Sequence, residues 1–285
     1  RELDLNNAAV SVNYDQDGVH YEREIFVSEP DQLMVMRLTA DKPGMISFTS
    51  SLSRPGKFET TSDDSQLVMF GALSDGKGGD GLHYMTRLSA VNRKGSVNYT
   101  DSSLIVKNAD EVILLLSAST DYVLEYPNYE GRDYQSITDT NIQNGRMKSF
   151  EDLLGGHVAE YQKYFSRVSF NITGKLSDTI PTDVRLEEFK KSKTDPHLVE
   201  LFFQFGRYLL ISSSRPGTLP ANLQGIWTAK IQSPWNGDYH TDVNVQMNYW
   251  LAEPTNLGEM HLPLFNLMES LQKPGAKKAK VHYQA

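Results

Sequence analysis

The 285-residue sequence contains no cysteine. Disulfides and thiolate metal sites are therefore excluded. It also lacks any run of about 18 apolar residues, the length a membrane-spanning helix requires. Positive charge is in deficit: 28 Lys and Arg stand against 36 Asp and Glu, a formal net charge of -8. A polyanion is repelled at long range by such a surface, so nucleic acid is not an expected partner, and neither is a membrane. The first residues, Arg1-Glu-Leu-Asp-Leu, show no initiator Met and no basic-then-apolar leader. The last, Lys280-Val-His-Tyr-Gln-Ala, read as an unfinished helix. Both ends predict a longer parent protein. The glycine-rich loop Asp75-Gly-Lys-Gly-Gly-Asp-Gly has no following Lys-Ser/Thr and opens no helix, so it lacks what a phosphate cradle needs.

What is present is ordinary in bulk, with 39% hydrophobic and 22% charged residues. Residues 10 to about 127 read as β. Strands are expected at Val19–Val27, Leu33–Leu38, Met45–Leu52, Gln66–Leu73, Leu82–Val91, Ser103–Lys107 and Val112–Ala118. Gly, Pro, Asp and Ser clusters punctuate them, the pattern of an antiparallel sandwich. In the first, Val19, Tyr21, Ile25 and Val27 share one face and Phe26 lies on the other.

From residue 128 the pattern changes. Asp133 to Gly145 is polar and strand-poor, and Leu154, Val158, Tyr161 and Phe165 then form a helical stripe. Residues 128–175 read as a linker carrying one helix, closed by a short strand over 167–173. Beyond 176 the pattern is helical, with Leu198, Phe202, Phe205 and Leu209 on one stripe behind an Asp195-Pro196 start. Two more helices are expected, over Val245–Ala252 and His261–Leu271, the latter stopped by Pro274-Gly275.

Residues 215–256 carry the chemistry. All three tryptophans fall here, Trp227, Trp235 and Trp250, among the amides of Asn222, Gln224, Asn236, Asn244, Gln246, Asn248 and Asn256. A sugar needs flat aromatics for its C–H faces and amides or carboxylates for its hydroxyls. A dense internal hydrogen-bond network uses the same residues, and on composition both readings stand. Trp235, between a proline and an asparagine, is the candidate for stacking; Trp227 and Trp250 read as core. His240, Asp242 and His261 do not have metal-ligand spacing, so no metal or cofactor is expected. Lys273–Lys280 reads as a solvated helix face.

Four motifs then combine: Asn222-Leu-Gln-Gly-Ile-Trp, Pro234-Trp-Asn-Gly-Asp-Tyr-His, Asn244-Val-Gln-Met-Asn-Tyr-Trp and Ala252-Glu-Pro-Thr-Asn-Leu. Together they resemble the signature of glycoside hydrolase family 95, the α-L-fucosidases. Looser matches at Tyr21–Asp31 and His157–Val168 extend the resemblance over nearly the whole chain. It implies a multi-domain β-plus-α protein: an N-terminal β-supersandwich over 1–127 with its beginning missing, a helical linker over 128–175, and the first helices of a truncated (α/α)6 barrel over 176–285. It implies inverting hydrolysis of terminal α-L-fucosyl bonds, α-1,2-linked, in oligosaccharides or glycans, by a bacterial protein that is periplasmic or secreted. The family holds its attacking water with two asparagine amides backed by a carboxylate. Those positions correspond to Asp242 and Asn244, and His240 matches the histidine that contacts the sugar; Trp235 and Asn236 are expected to bind substrate beside it. Asp242 departs from the expected Asn: an ionised carboxylate only accepts hydrogen bonds and repels a catalytic carboxylate nearby. The general acid matches no position here, and Glu253 and Glu259 are expected to be structural. Two alternatives follow, an α-L-galactosidase of the same family and a non-catalytic carbohydrate-binding protein.

Overall fold

The computed structural model describes residues 1–172 and 180–284. Contacts divide the chain into two compact units, Arg1–Glu160 and Tyr161–Ala285.

The first unit is an antiparallel sandwich followed by helix. Its strands are β1 (Glu2–Asp4), β2 (Ala9–Gln16), β3 (Val19–Ser28), β4 (Leu33–Ala40), β5 (Ile46–Ser50), β6 (Glu59–Ser62), β7 (Leu67–Ser74), β8 (Asp80–Arg93), β9 (Ser96–Thr100), β10 (Ser103–Ala109) and β11 (Glu111–Thr120). Eight form one sheet, ordered β1-β2-β3-β4-β11-β8-β7-β6, and three the other, ordered β5-β10-β9. All seven strands expected from sequence are present; β1, β2, β6 and β9 are additional.

The large sheet is covered on both faces. One face packs on the small sheet through Ile46, Leu88, Ala90, Leu104, Val106 and Val112. The other packs Phe26, Leu33, Val35 and Leu115 against Ile142, Phe150 and Leu153 of two helices, α1 (Tyr134–Arg146) and α2 (Phe150–Phe165). Strand β3 keeps the alternation expected of it, with Tyr21 toward the small sheet and Phe26 toward the helices. Phe26 is 2% exposed and Val27 67% exposed. At that end of the strand the helices, not the small sheet, supply the apolar cover.

The region expected to carry one helix holds two. Asp133 caps α1 by accepting from the Ser136 N–H at 3.1 Å. The buried face of α1 is Thr138, Ile142 and Gly145, helically spaced but with a single large apolar residue. A Cβ on Gly145 would stand 2.4 Å from Leu33 Cδ1, so any larger residue would force that buried leucine to shift from its place under the helix.

The second unit is helical: the end of α2, then α3 (Thr182–Ser192), α4 (Pro196–Ser213), α5 (Asn244–Tyr249), α6 (Leu262–Ser270) and α7 (Gln272–Tyr283). Residues 168–172 form no strand, and the expected boundary at 175/176 lies outside the described residues. Pro274 does not end a helix; it sits in the first turn of α7, where a missing N–H is harmless. On α4 the buried residues are His197, Leu198, Arg207, Leu210, Ile211 and Ser213, whereas Phe202 is 78% exposed. The helix is apolar around most of its girth, so spacing alone did not select the covered side.

Asp195 both caps and anchors α4. It accepts the Leu198 N–H at 3.0 Å and takes a two-point bond from Arg185, 2.9 Å each. That guanidinium, with the cap N–H, holds the Asp195 carboxyl below its ordinary 3.8. A depressed carboxylate contributes stability that is complete above the unfolded value and lost as pH falls through the folded one. Asp195→Ala is therefore expected to cost about 1 kcal/mol at neutral pH and to flatten the acid limb of stability. Urea titrations at pH 7 and below pH 3.8 measure both; identical acid limbs for variant and parent would contradict it.

Candidate functional site

A buried relay seats the segment between α4 and α6. The Ala221 N–H donates to the Tyr249 hydroxyl at 2.9 Å. Tyr249 and Ser214 share a 2.7 Å hydroxyl bond, and Ser214 donates to the Met260 carbonyl at 2.9 Å. Each hydroxyl has one proton, so the order is fixed: Ala221 to Tyr249 to Ser214 to Met260. Burial pushes the Tyr249 phenol up, keeping it neutral as that order requires. His261 lies between the rings of Tyr249 and Phe265, each 5.5 Å away, with Nδ1 3.0 Å from Glu253.

Most of the amides belong to this scaffold. Asn248 Nδ2 donates to the Asn222 carbonyl at 2.9 Å, and Asn222 Oδ1 takes the Gln224 N–H at 2.8 Å. Gln246 Nε2 donates to the Thr241 carbonyl at 2.7 Å, and Gln224 Nε2 to Pro234 at 3.2 Å. These bonds tie the loop after Pro220 to the loop before α5. The network reading of the sequence therefore accounts for Asn222, Gln246 and Asn248.

The loop before α5 contains a tight turn, Pro234–Gly237, in which Trp235, Asn236 and Gly237 all have left-handed backbones, φ 55°, 58° and 60°. For a tryptophan this conformation is unfavourable and rare. The turn leaves the Trp235 indole 73% exposed. Its ring meets the His240 ring edge-on, centroids 5.9 Å apart. His240 Nδ1 pairs closely with Asp238. A carboxylate there selects the tautomer protonated on Nδ1, which leaves Nε2 of the neutral ring as an acceptor.

An open cavity of about 460 Å³ lies beside the turn, lined by Leu223, Gln224, Pro234, Trp235, His240 and Asn244. That volume falls in the range of about 300–1,000 Å³ usual for small-molecule sites. Its lining offers one aromatic plane, one imidazole and two amides, with no carboxylate. Of the five residues singled out in sequence, Trp235, His240 and Asn244 share this cavity. Asn236 and Asp242 do not line it: Asn236 Oδ1 accepts from Gln232, and Asp242 is exposed two residues before Asn244. Trp227 and Trp250, expected in the core, are exposed: Trp227 lies in a loop, and Trp250 caps α5 off the face that buries Val245 and Tyr249. Gln224 was not singled out; its place in the cavity arises from a loop closure that composition does not encode.

Glu259 is unsuited to donating a proton. Arg167 grips it with two bonds of 2.8 Å and holds its carboxyl below the ordinary 4.5, the wrong direction for a general acid at neutral pH. Among the described residues no cluster of three His, Asp or Glu could hold a metal ion.

Residues 1–125 match the N-terminal domain of glycosyl hydrolase family 65, and residues 149–285 match the glycosyl hydrolase family 95 catalytic domain. The chain is 38% identical to "Alpha-L-fucosidase 2" of Arabidopsis thaliana, over 100% of this chain and 37% of that protein. It is 33% identical to "Probable alpha-fucosidase A" of Aspergillus niger, over 99% of this chain and 37% of the other. With the protein of the same description from Aspergillus oryzae it shares 27% identity, over 99% of this chain and 41% of that one. The chain thus spans 37–41% of the length of these curated relatives.

Proposed function

The chain belongs to glycoside hydrolase family 95, and we propose that it carries the sugar-binding, water-holding side of an α-L-fucosidase site. The reaction proposed is inverting release of terminal, α-1,2-linked L-fucose from oligosaccharides or glycans, without metal or cofactor. The observation that carries it is the meeting of Trp235, His240 and Asn244 around one cavity. The indole covers an apolar sugar face, the imidazole contacts the ring, and the Asn244 amide, both donor and acceptor, holds a water for attack. An inverting enzyme also needs an acid on the opposite face of the bond. No carboxylate lines the cavity, so the acid and the carboxylate behind the water are assigned to the remainder of a protein of the relatives' length.

The finer architecture belongs to the same reading. α4 exposes Val199, Phe202 and Phe205, and α6 exposes Leu262, Phe265 and Met268, each set spaced by three residues. Such stripes suit helices of an (α/α)6 barrel waiting for neighbours, after a β-domain over 1–127 and a linker over 128–175. Fucosylated glycans are met outside the cytoplasm, which accords with a periplasmic or secreted bacterial protein. L-Galactose differs from L-fucose by one C6 hydroxyl, and the bulk of His240 favours fucose over it. Asp242, where the family pattern has Asn, supports a second reading as a non-catalytic carbohydrate-binding protein.

The test is binding without turnover. The 285-residue chain is expected to bind L-fucose, detected on indole N–H resonances, and not to hydrolyse a fucosyl substrate. Trp235→Ala is expected to weaken binding roughly three- to tenfold. No fucose binding would remove the fucosidase reading; hydrolysis by this chain would place an acid within it and overturn the division of the site.

A further inference from the structure

Every polar group of the Gln224 side chain can be followed. Nε2 donates to the Pro234 carbonyl at 3.2 Å. A carbonyl only accepts, so the amide nitrogen must face it and the orientation of the amide is fixed. Oε1 is what remains, and it is buried with no hydrogen-bond partner. Buried acceptors without partners are scarce in folded proteins and call for an explanation at each occurrence.

The explanation lies in what covers the oxygen. A Cβ built on Gly237 would stand 3.2 Å from Gln224 Oε1, so the Pro234–Gly237 turn rests directly on it. This is the turn whose three successive residues are left-handed, Trp235 among them. Two unfavourable features, an orphan acceptor and a strained tryptophan, thus meet where Gln224, Pro234 and Trp235 line one cavity. A hydroxyl group delivered to that oxygen relieves the first, and movement of the turn relieves the second.

We propose that Gln224 is a sugar-binding residue, its Oε1 accepting one ring hydroxyl of the terminal sugar when the Pro234–Gly237 turn shifts off it. The proposal rests on the fucosidase reading above and adds to it a specificity contact: a site built around a buried acceptor discriminates against a sugar lacking the matching hydroxyl. It also gives Trp235 a moving part, since the turn that exposes the acceptor carries the stacking ring.

The probes are methyl α-L-fucoside and its 2-, 3- and 4-monodeoxy analogues, titrated into the 285-residue chain by calorimetry. Gln224→Met keeps the side chain's length and removes the orphan acceptor. It is expected to fold with an unreduced thermal midpoint and to bind the parent fucoside roughly five- to tenfold more weakly. One monodeoxy analogue is expected to show the same loss on the unaltered chain and no further loss on Gln224→Met. Gln224→Glu, which keeps an acceptor, is expected to bind the parent fucoside more tightly than Gln224→Met. Equal binding of the fucoside by Gln224→Met and the unaltered chain overturns the role of Gln224 and leaves the fucosidase reading standing. Absence of binding by the unaltered chain overturns both. Should Gln224→Met lower the midpoint sharply, the deoxy series on the unaltered chain decides: uniform affinity across all three analogues overturns the proposal.

Discussion

Arg207→Ala is expected to destabilise the helical unit by about 3–5 kcal/mol, the largest stability effect of any single change considered. Arg207 sits in the middle of α4 and is 0% exposed. Its guanidinium reaches the C-terminal end of α2. Nη2 donates to the Tyr164 carbonyl at 2.9 Å, and Nη1 to Phe165 at 2.8 Å and to Val168 at 3.2 Å. Gln204 Oε1 takes a further bond at 2.9 Å. The last carbonyls of a helix have no partners within it, and they form the negative end of its dipole. One rigid, forked cation answers both needs. Among the described residues no carboxylate pairs with it, so burial pushes the guanidinium down, yet an arginine stays charged even so. Alanine would leave three carbonyls facing an apolar void. Arg207→Lys keeps the charge but loses the fork, and is expected to recover only part of the loss. Chemical denaturation followed by helical circular dichroism measures both; a change within 1 kcal/mol for Arg207→Ala would mean that water replaces the guanidinium at no cost.

Little of this arrangement could be read before the structure. Alternation and turn residues located the seven strands that carry fully buried residues, but not the interior strand β2, none of whose residues is fully buried. They missed β6, Glu-Thr-Thr-Ser over 59–62, and β9, Ser-Val-Asn-Tyr-Thr over 96–100, which are edge strands with mostly exposed or half-exposed side chains. Alternation put Phe26 and Val27 on opposite faces of β3, but which of them is covered depends on the helices packed at that end of the strand. Helix α1 escaped notice since a glycine and a threonine do the work of its buried face. At the cavity, residue type picked out Trp235, His240 and Asn244, which share its wall, but could not separate cavity-lining amides from scaffold amides. That separation depends on which carbonyl each amide meets. Asn248 meets Asn222, whereas the oxygen of Gln224 meets nothing.

In an enzyme of the relatives' full length, Asn244→Ala is expected to lower kcat by about 10²- to 10⁴-fold, the usual worth of a group that positions and activates a nucleophile. KM should change little, because the water, not the fucosyl ring, loses its holder. Asn244 stands on the cavity wall at the start of α5, whose backbone is pinned by the Val245 N–H to the His240 carbonyl at 3.0 Å. That bond ties together the backbones that carry the imidazole proposed to contact the sugar and the amide proposed to hold the water, and a near-attack geometry requires such a tie. Asp242, two residues earlier, carries a charge where the resemblance in the sequence leads one to expect an asparagine. A carboxylate beside the reacting centre raises the pKa of any catalytic acid it faces. The acid must be protonated to work, and its pKa sets the alkaline limb of the rate profile. Asp242→Asn removes the negative charge, lowers that pKa and moves the alkaline limb to lower pH. The pair of variants separates the two residues: Asn244→Ala lowers the plateau, and Asp242→Asn displaces the limb. A rate and pH profile unchanged by Asp242→Asn would show that the carboxylate does not feel the reaction, while unchanged kcat in Asn244→Ala would move the water-holding role elsewhere.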